Sequence, residues 1–103
     1  MKAGMKEIIY ALDQEFESRI RLGIMSVLMV NDDVDFKTFK ELLDTSDGNM
    51  ASHLNALERA KYIQIKKQFI DRKPNTTYSV TKAGKKAFED HLKILEKLIK
   101  KKN

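Results

Sequence analysis

The stretch from Thr45 to Tyr62 (TSDGNMASHLNALERAKY) carries two chemistries on one helical period, and it constrains the chain more than any other segment. Met50, Leu54, Leu57 and Lys61 recur at four-three-four spacing, while Gly48, Asn49, Ser52, Asn55, Ala56 and Arg59 fall on the other side. Such a helix has one side to pack and one small, polar side free to touch something else. Ser46 or Asp47 supplies a cap at its start, and Gly48 keeps the first turn free of bulk. The period then changes. Tyr62 to Phe69 (YIQIKKQF) sets Ile63, Ile65 and Phe69 on one side of an extended segment, and Thr77 to Val80 offers Tyr78 and Val80 in the same alternation. DRKPNT lies between them, a polar tip with two cations and the only proline.

The rest of the chain must cover the apolar side of that helix. Met5, Ile8, Ile9, Leu12 and Phe16 form one stripe of a short helix over residues 5–16, which is marginal alone and has to dock. Arg19 to Val30 (RIRLGIMSVLMV) is apolar almost all round and reads as a buried helix, where Gly23 is tolerable if another helix comes close. Asn31 to Val34 reads as a polar turn. Asp35 caps a helix over Phe36 to Leu43, with Phe36, Phe39, Leu42 and Leu43 as its buried stripe, and Asp44 to Ser46 makes a short turn into the central helix.

Thr81 caps a last helix from Lys82 to about Lys101, a rod of about 30 Å, longer than so small a core needs. Phe88, Leu92, Leu95 and Ile99 repeat along it like a coiled-coil seam, widened by Ile94 and Leu98. Part of that seam covers Ile8 and Leu12. The remainder calls for a second copy of the chain, so the sequence predicts a homodimer with Ile8, Leu12, Phe88, Leu92, Leu95 and Ile99 at its interface. His91 lies beside the seam and reads as structural, and the closing KKKN reads as frayed.

A helix with a bare polar side followed at once by a basic hairpin reads as a helix-turn-helix with a wing. Asp47-Gly48-Asn49-Met50, Ser52-His53-Leu54, Leu57-Glu58, Tyr62-Ile63, Arg72-Lys73-Pro74 and the run Tyr78-Ser79-Val80-Thr81-Lys82-Ala83-Gly84 carry a more specific likeness. In that unbroken order they resemble the small winged-helix regulators of the MarR and ArsR families, over residues 19–99. The resemblance implies an α+β, mainly α fold: a winged helix-turn-helix with a two-stranded β-hairpin wing and flanking N- and C-terminal dimerisation helices. We expect one domain over 1–103, with the N-terminal helix in 1–18, the core in 19–81 and the dimerisation helix in 82–103.

On this reading the central helix enters the major groove of double-stranded DNA, where polar side chains tell base edges apart. Asn49, Ser52, His53 and Asn55 are the candidate readers. Arg59 and Ser46 are candidates for phosphate, as are Lys37, Thr38 and Lys40 on the supporting helix. Arg72, Lys73 and Asn75 belong to the wing, beside the minor groove; Asp71 stands where relatives often carry glycine. A two-fold dimer prefers an inverted repeat. Repression is implied by the resemblance alone; the resemblance leaves open a small-molecule effector between the terminal helices and the core, and no residue names the compound. Met5, Tyr10, Phe16, Met25, Met29 and Phe88, near that junction, read as plain core.

Charge agrees with a polyanionic partner. Residues 1–60 carry 7 Lys and Arg against 11 Asp and Glu, a net −4, and residues 61–103 carry 13 against 4, a net +9. No cysteine is present, which excludes disulfides and thiolate metal sites and fits a reducing cytoplasm. The apolar run Ile24 to Val30 is too short to span a membrane. The two histidines lie on separate elements, and only Asp90 beside His91 hints at a metal pair, so the sequence predicts neither an enzyme nor a metal or cofactor site. The competing reading is a winged-helix protein-docking module that does not bind DNA.

Overall fold

A computed structural model describes residues 4–100. The chain runs α1 (Met5–Tyr10), a 3-10 turn (Gln14–Phe16), α2 (Arg19–Met29), β1 (Val34–Asp35), α3 (Phe36–Leu43), α4 (Asp47–Arg59), β2 (Ile63–Ile70), β3 (Lys73–Val80) and α5 (Lys82–Lys100). The first predicted helix is shorter than its stripe. It stops at Tyr10, because the Asp13 carboxylate accepts the Glu15 N–H at 2.9 Å and starts a separate 3-10 turn. The closing residues 101–103, expected to fray, lie outside the described residues.

Polar side chains set the other helix starts, as expected at Asp35, Ser46 and Thr81 and without a prior expectation at Ser18. Ser18 accepts from the N–H groups of Ile20 and Arg21, Asp35 from Thr38, Ser46 from Asn49, and the Thr81 hydroxyl from Gly84. α4 ends earlier than its apolar spacing implied. The Tyr62 N–H bonds back to the Leu57 carbonyl at 3.0 Å and the Lys61 N–H to Glu58 at 2.8 Å, with Lys61 in the left-handed region (φ 67°). This Schellman closure turns Lys61 out to solvent, so it is not on the packing side.

Phe16, Ile24, Met25, Phe39, Met50, Leu54, Leu57 and Ile63 are the centre of the core, each 0–2% exposed. Gly23 has the predicted use: a Cβ there would stand 2.5 Å from Leu43 Cδ2, so α3 lies against α2 at that point. Several side chains depart from their expected sides, among them Ile9 of the α1 stripe, which is 52% exposed. Leu42 is 58% exposed, Val30 is 80% exposed, and Ala56, assigned to the outward side of α4, is 8% exposed. Of the residues read as core near the terminal helices, Phe16, Met25 and Phe88 are buried, but Met5 and Tyr10 are exposed.

The expected polar turn at Val34 is instead a strand. β1 pairs antiparallel with β3 (Val34↔Tyr78, Asp35↔Thr77), giving a three-stranded sheet in the order β1-β3-β2. A two-residue segment has no period to read, so only its partner in the tertiary fold defines it. The hairpin is longer and its turn tighter than DRKPNT suggested. Ile70 pairs with Lys73 and Phe69 with Pro74, leaving Asp71 and Arg72 as the whole turn, both at positive φ (50° and 66°). That is the type I′ pattern, whose twist matches the flanking strands. Lys73, Pro74 and Asn75 therefore belong to β3 and not to the tip.

α5 and the N-terminal segment are fastened to this core through one polar and aromatic knot. The Tyr62 hydroxyl donates to Asp13 Oδ2 at 2.6 Å, and the Asp13 N–H donates to His91 Nδ1 at 3.2 Å. Phe16 stacks among Tyr62, Phe88 and His91, with ring centroids 5.1–5.3 Å apart. His91 is thus a core residue, in keeping with its structural reading. Phe88, 3% exposed, likewise belongs to the protomer's own core and is withdrawn from the interface predicted for it. The physical reason is that α5 buries Gly84, Phe88 and His91 inward, so the four-three-four seam splits after its first member.

The radius of gyration is 15.8 Å, against about 13 Å for a compact domain of this length. Large apolar side chains stand in solvent near the hairpin end, Phe69 (75% exposed), and in the last turn of α5, Ile99 (83%). Among the described residues no helix is long and apolar enough to cross a membrane.

Candidate nucleic-acid interface

Along α4, Ser46, Asn49, Ser52, Asn55 and Arg59 are exposed at helical spacing, while Met50, Leu54 and Leu57 on the far side are sealed. Among the described residues nothing packs over that exposed row. Asn49 is held in place: its Nδ2 donates to Thr45 Oγ1 at 2.7 Å, leaving the second amide proton and the carbonyl oxygen free. An amide so oriented retains the donor and acceptor needed to pair bidentately with adenine. Thr45 was missed as its support, although a hydroxyl four residues before an Asn at a helix start is a legible signal.

His53 differs from the other predicted readers. It is half-buried, and its Nδ1 accepts from Arg21 Nε at 2.9 Å; Arg21 also holds Glu15 through Nη1 at 3.0 Å. The imidazole thus ties α4 to α2, and only its remaining nitrogen is left for a ligand. Arg21 and Glu15 escaped the sequence reading, and the one clue was a guanidinium set inside an apolar helix. Burial, then the Arg21 charge, pushes the His53 pKa below its ordinary 6.5.

His91 is shifted the same way by burial, partly opposed by Asp13 and Glu17. Both rings accept through Nδ1, so protonation there would remove the acceptor. A histidine whose folded pKa is depressed supplies stability above its unfolded value of 6.5, and that stability is lost as pH falls through the folded values. The urea midpoint is therefore expected to drop between pH 7.5 and 5.5. A His53→Gln, His91→Gln variant should show a flatter profile over that interval; an equally steep one would place the titration elsewhere.

The supporting helix offers less than expected. Lys37 and Thr38 are exposed, but Thr38 donates to the Asp35 carboxylate, whose pKa it lowers, so an anion would meet a carboxylate there. Lys40 is engaged within the chain, by the Thr45 carbonyl and by Asp47 Oδ1 at 3.1 Å. At the hairpin, Arg72 occupies the turn, Lys73 is exposed and Asn75 is half-buried opposite Gln68. An open cleft lies between α4 and the hairpin, lined by Asn55, Glu58, Ile65, Lys67, Thr76 and Tyr78. The Tyr78 hydroxyl there has its pKa raised by burial and by Glu58. The dimer candidates are divided: Ile8, Leu12 and Leu95 are half-buried, with α1 packed on α5, while Leu92 (45%) and Ile99 (83%) are exposed.

Comparison with known proteins bears on this arrangement. A family model described as a winged helix DNA-binding domain matches residues 20–99. An uncharacterized protein of Methanocaldococcus jannaschii is 31% identical over 77 residues, covering 75% of this chain and 84% of that one. The solved structure of a transcriptional regulator homologue from Pyrococcus horikoshii OT3 is also 31% identical, covers 91% of each chain and superimposes with a TM-score of 0.80. A MarR-family structure from Enterococcus faecalis V583 shares the fold at 14% identity, with a TM-score of 0.75 over 93% of this chain and 86% of that one.

Proposed function

The chain belongs to the winged helix DNA-binding domain family, and on that premise we propose that it acts as a homodimeric, cytoplasmic transcriptional regulator, a repressor, that reads an inverted repeat in double-stranded DNA. The observation that carries this is the bare outward row of α4, Ser46, Asn49, Ser52, Asn55 and Arg59, over a fully sealed inner side. A helix of that kind fits the major groove. Asn49, Ser52 and Asn55 are assigned to base edges. Arg59, Ser46 and, more weakly, Lys37 and Thr38 are assigned to phosphate, with His53 holding the helix against α2. Arg72 and Lys73 lie along the adjacent minor groove, where negative potential favours cations. One winged-helix unit per chain and a second unit from the partner copy complete the reader.

The docking-module alternative is the weaker reading, because protein interfaces centre on aromatic or apolar anchors and the exposed row of α4 has none. The aromatic knot of Phe16, Phe88 and His91, each under 5% exposed, fills the junction where the resemblance left an effector open, so the proposal assigns no effector there. No catalysis, metal or cofactor enters it.

Selection from a random DNA pool tests the reading. The wild-type protein should recover an inverted repeat with half-sites about 10 base pairs apart. A variant with Asn49→Ala, Ser52→Ala and Asn55→Ala should lose preference at two or three positions per half-site, each worth about 1–3 kcal/mol, while retaining salt-sensitive binding to any duplex. If both proteins recover the same motif, α4 does not read bases.

A further inference from the structure

The hairpin end carries a feature that phosphate attraction does not use. Phe69 is 75% exposed and Ile70 51% exposed, consecutive large apolar side chains that strand alternation sets on opposite sides of the hairpin. They are rigidly presented. Phe69 pairs across the ladder with Pro74 and Ile70 with Lys73, and the two-residue turn Asp71-Arg72 allows no slack. In such a hairpin the closing pair is the hydrogen-bonded one, so Pro74 sits where its missing N–H faces away from β2.

Side and charge narrow the occupant. Strand alternation puts Phe69 on the same side of β2 as Ile65 and Lys67, which line the cleft shared with Asn55 of α4. Phe69 lies about 13 Å beyond Ile65 along that side. Around it stand Lys66, Lys67, Arg72 and Lys73, all exposed, and among the described residues none of them is in an ion pair; Asp71 is the single acid of the hairpin end. A cationic collar repels a second copy of the same tip and attracts a polyanion. An exposed aromatic ring inside such a collar matches duplex DNA, where apolar side chains such as Phe enter the minor groove and part a base step.

We propose that Phe69 is a minor-groove wedge that unstacks a base step flanking the sequence read by α4. The inference rests on the DNA-binding reading above and adds a source of specificity without base hydrogen bonds. Pyrimidine–purine steps unstack most easily, so the wedge selects a TA or CA step at a fixed distance from each half-site.

The probe is the duplex recovered by the random-pool selection, with 2-aminopurine replacing adenine at successive flanking positions. Wild-type protein should raise the fluorescence at one step on each flank. Phe69→Ala should abolish that rise and weaken binding about tenfold, the net of losing apolar burial and regaining stacking, without changing the salt slope. Arg72→Ala should instead lower the slope by about one. Phe69 is exposed, so the fold is not at stake. Wild-type protein that binds the duplex with no rise, or a Phe69→Ala variant that keeps it, overturns the wedge and leaves the DNA reading standing. A Phe69→Ala variant whose free protein changes sedimentation mass makes the tip a contact between copies, which also overturns the wedge. Failure of the wild-type protein to retain any duplex removes both readings.

Discussion

Gly84→Ala is expected to lower the thermal midpoint by about 15 °C. A Cβ at this position would stand 2.1 Å from the Tyr62 carbonyl oxygen and 2.9 Å from its carbon, and the obstacle is backbone, which cannot rotate away as a side chain would. The carbonyl is fixed from two directions, because it accepts the Thr81 N–H at 3.0 Å and the Thr81 hydroxyl at 3.1 Å. Relief requires α5 to move off the end of α4, pulling Phe88 and His91 from Phe16. That puts the substitution at the upper end of overpacking costs, about 3 kcal/mol, which at about 4–8 °C per kcal/mol gives the shift stated. Two controls rank the cause. At Gly23 the added Cβ would meet only the flexible Leu43 Cδ2, at 2.5 Å, so the loss should be smaller; at Gly48 nothing lies within 4 Å, and alanine should be neutral or slightly stabilising. Thermal unfolding followed by circular dichroism decides it. A Gly84→Ala midpoint within about 2 °C of wild type would mean that the junction yields, contrary to the geometry.

Leu92→Asp with Ile99→Asp is expected to convert a dimer to a monomer and to weaken binding to the inverted repeat by about 100-fold or more. Both side chains are exposed in the protomer, at 45% and 83%, so neither change disturbs its core. On α1, which packs on α5, Met5 (44%), Ile9 (52%) and Tyr10 (78%) are exposed as well. Tethering two readers through the terminal helices makes the second half-site contact intramolecular, an advantage of about 100- to 10,000-fold that a monomer forfeits. Sedimentation gives the mass and a binding titration on the full repeat and on one half-site gives the affinity. The variant should bind both duplexes alike. An unchanged mass would place the interface on other residues.

The outline was legible where a period or a cap carries it. Ser18 had no role assigned, yet Ser46, Asp35 and Thr81 cap as expected, and the sealed side of α4 at Met50, Leu54 and Leu57 follows from spacing alone. The exposed row at Asn49, Ser52 and Asn55 follows equally, because what is left over from a buried stripe faces outward. Residues that act through distant partners were not legible in this way. His53 has the sequence position of a reader, but Arg21, 32 residues away, claims its Nδ1. Phe88 has the spacing of a seam, but Phe16 reaches it from the N-terminal segment.

The sequence by itself determined the longer helices and the two hairpin strands, where three of the helices begin, and which side of α4 is apolar, since those depend on neighbours within a turn or two along the chain. Tertiary structure alone decided that Val34 and Asp35 form a strand, that Tyr62, Asp13 and His91 lock α5 onto the core, and that Gly84 has no room for a side chain. Each of those depends on a contact between segments far apart in the chain, and local spacing holds no record of what a side chain will meet there.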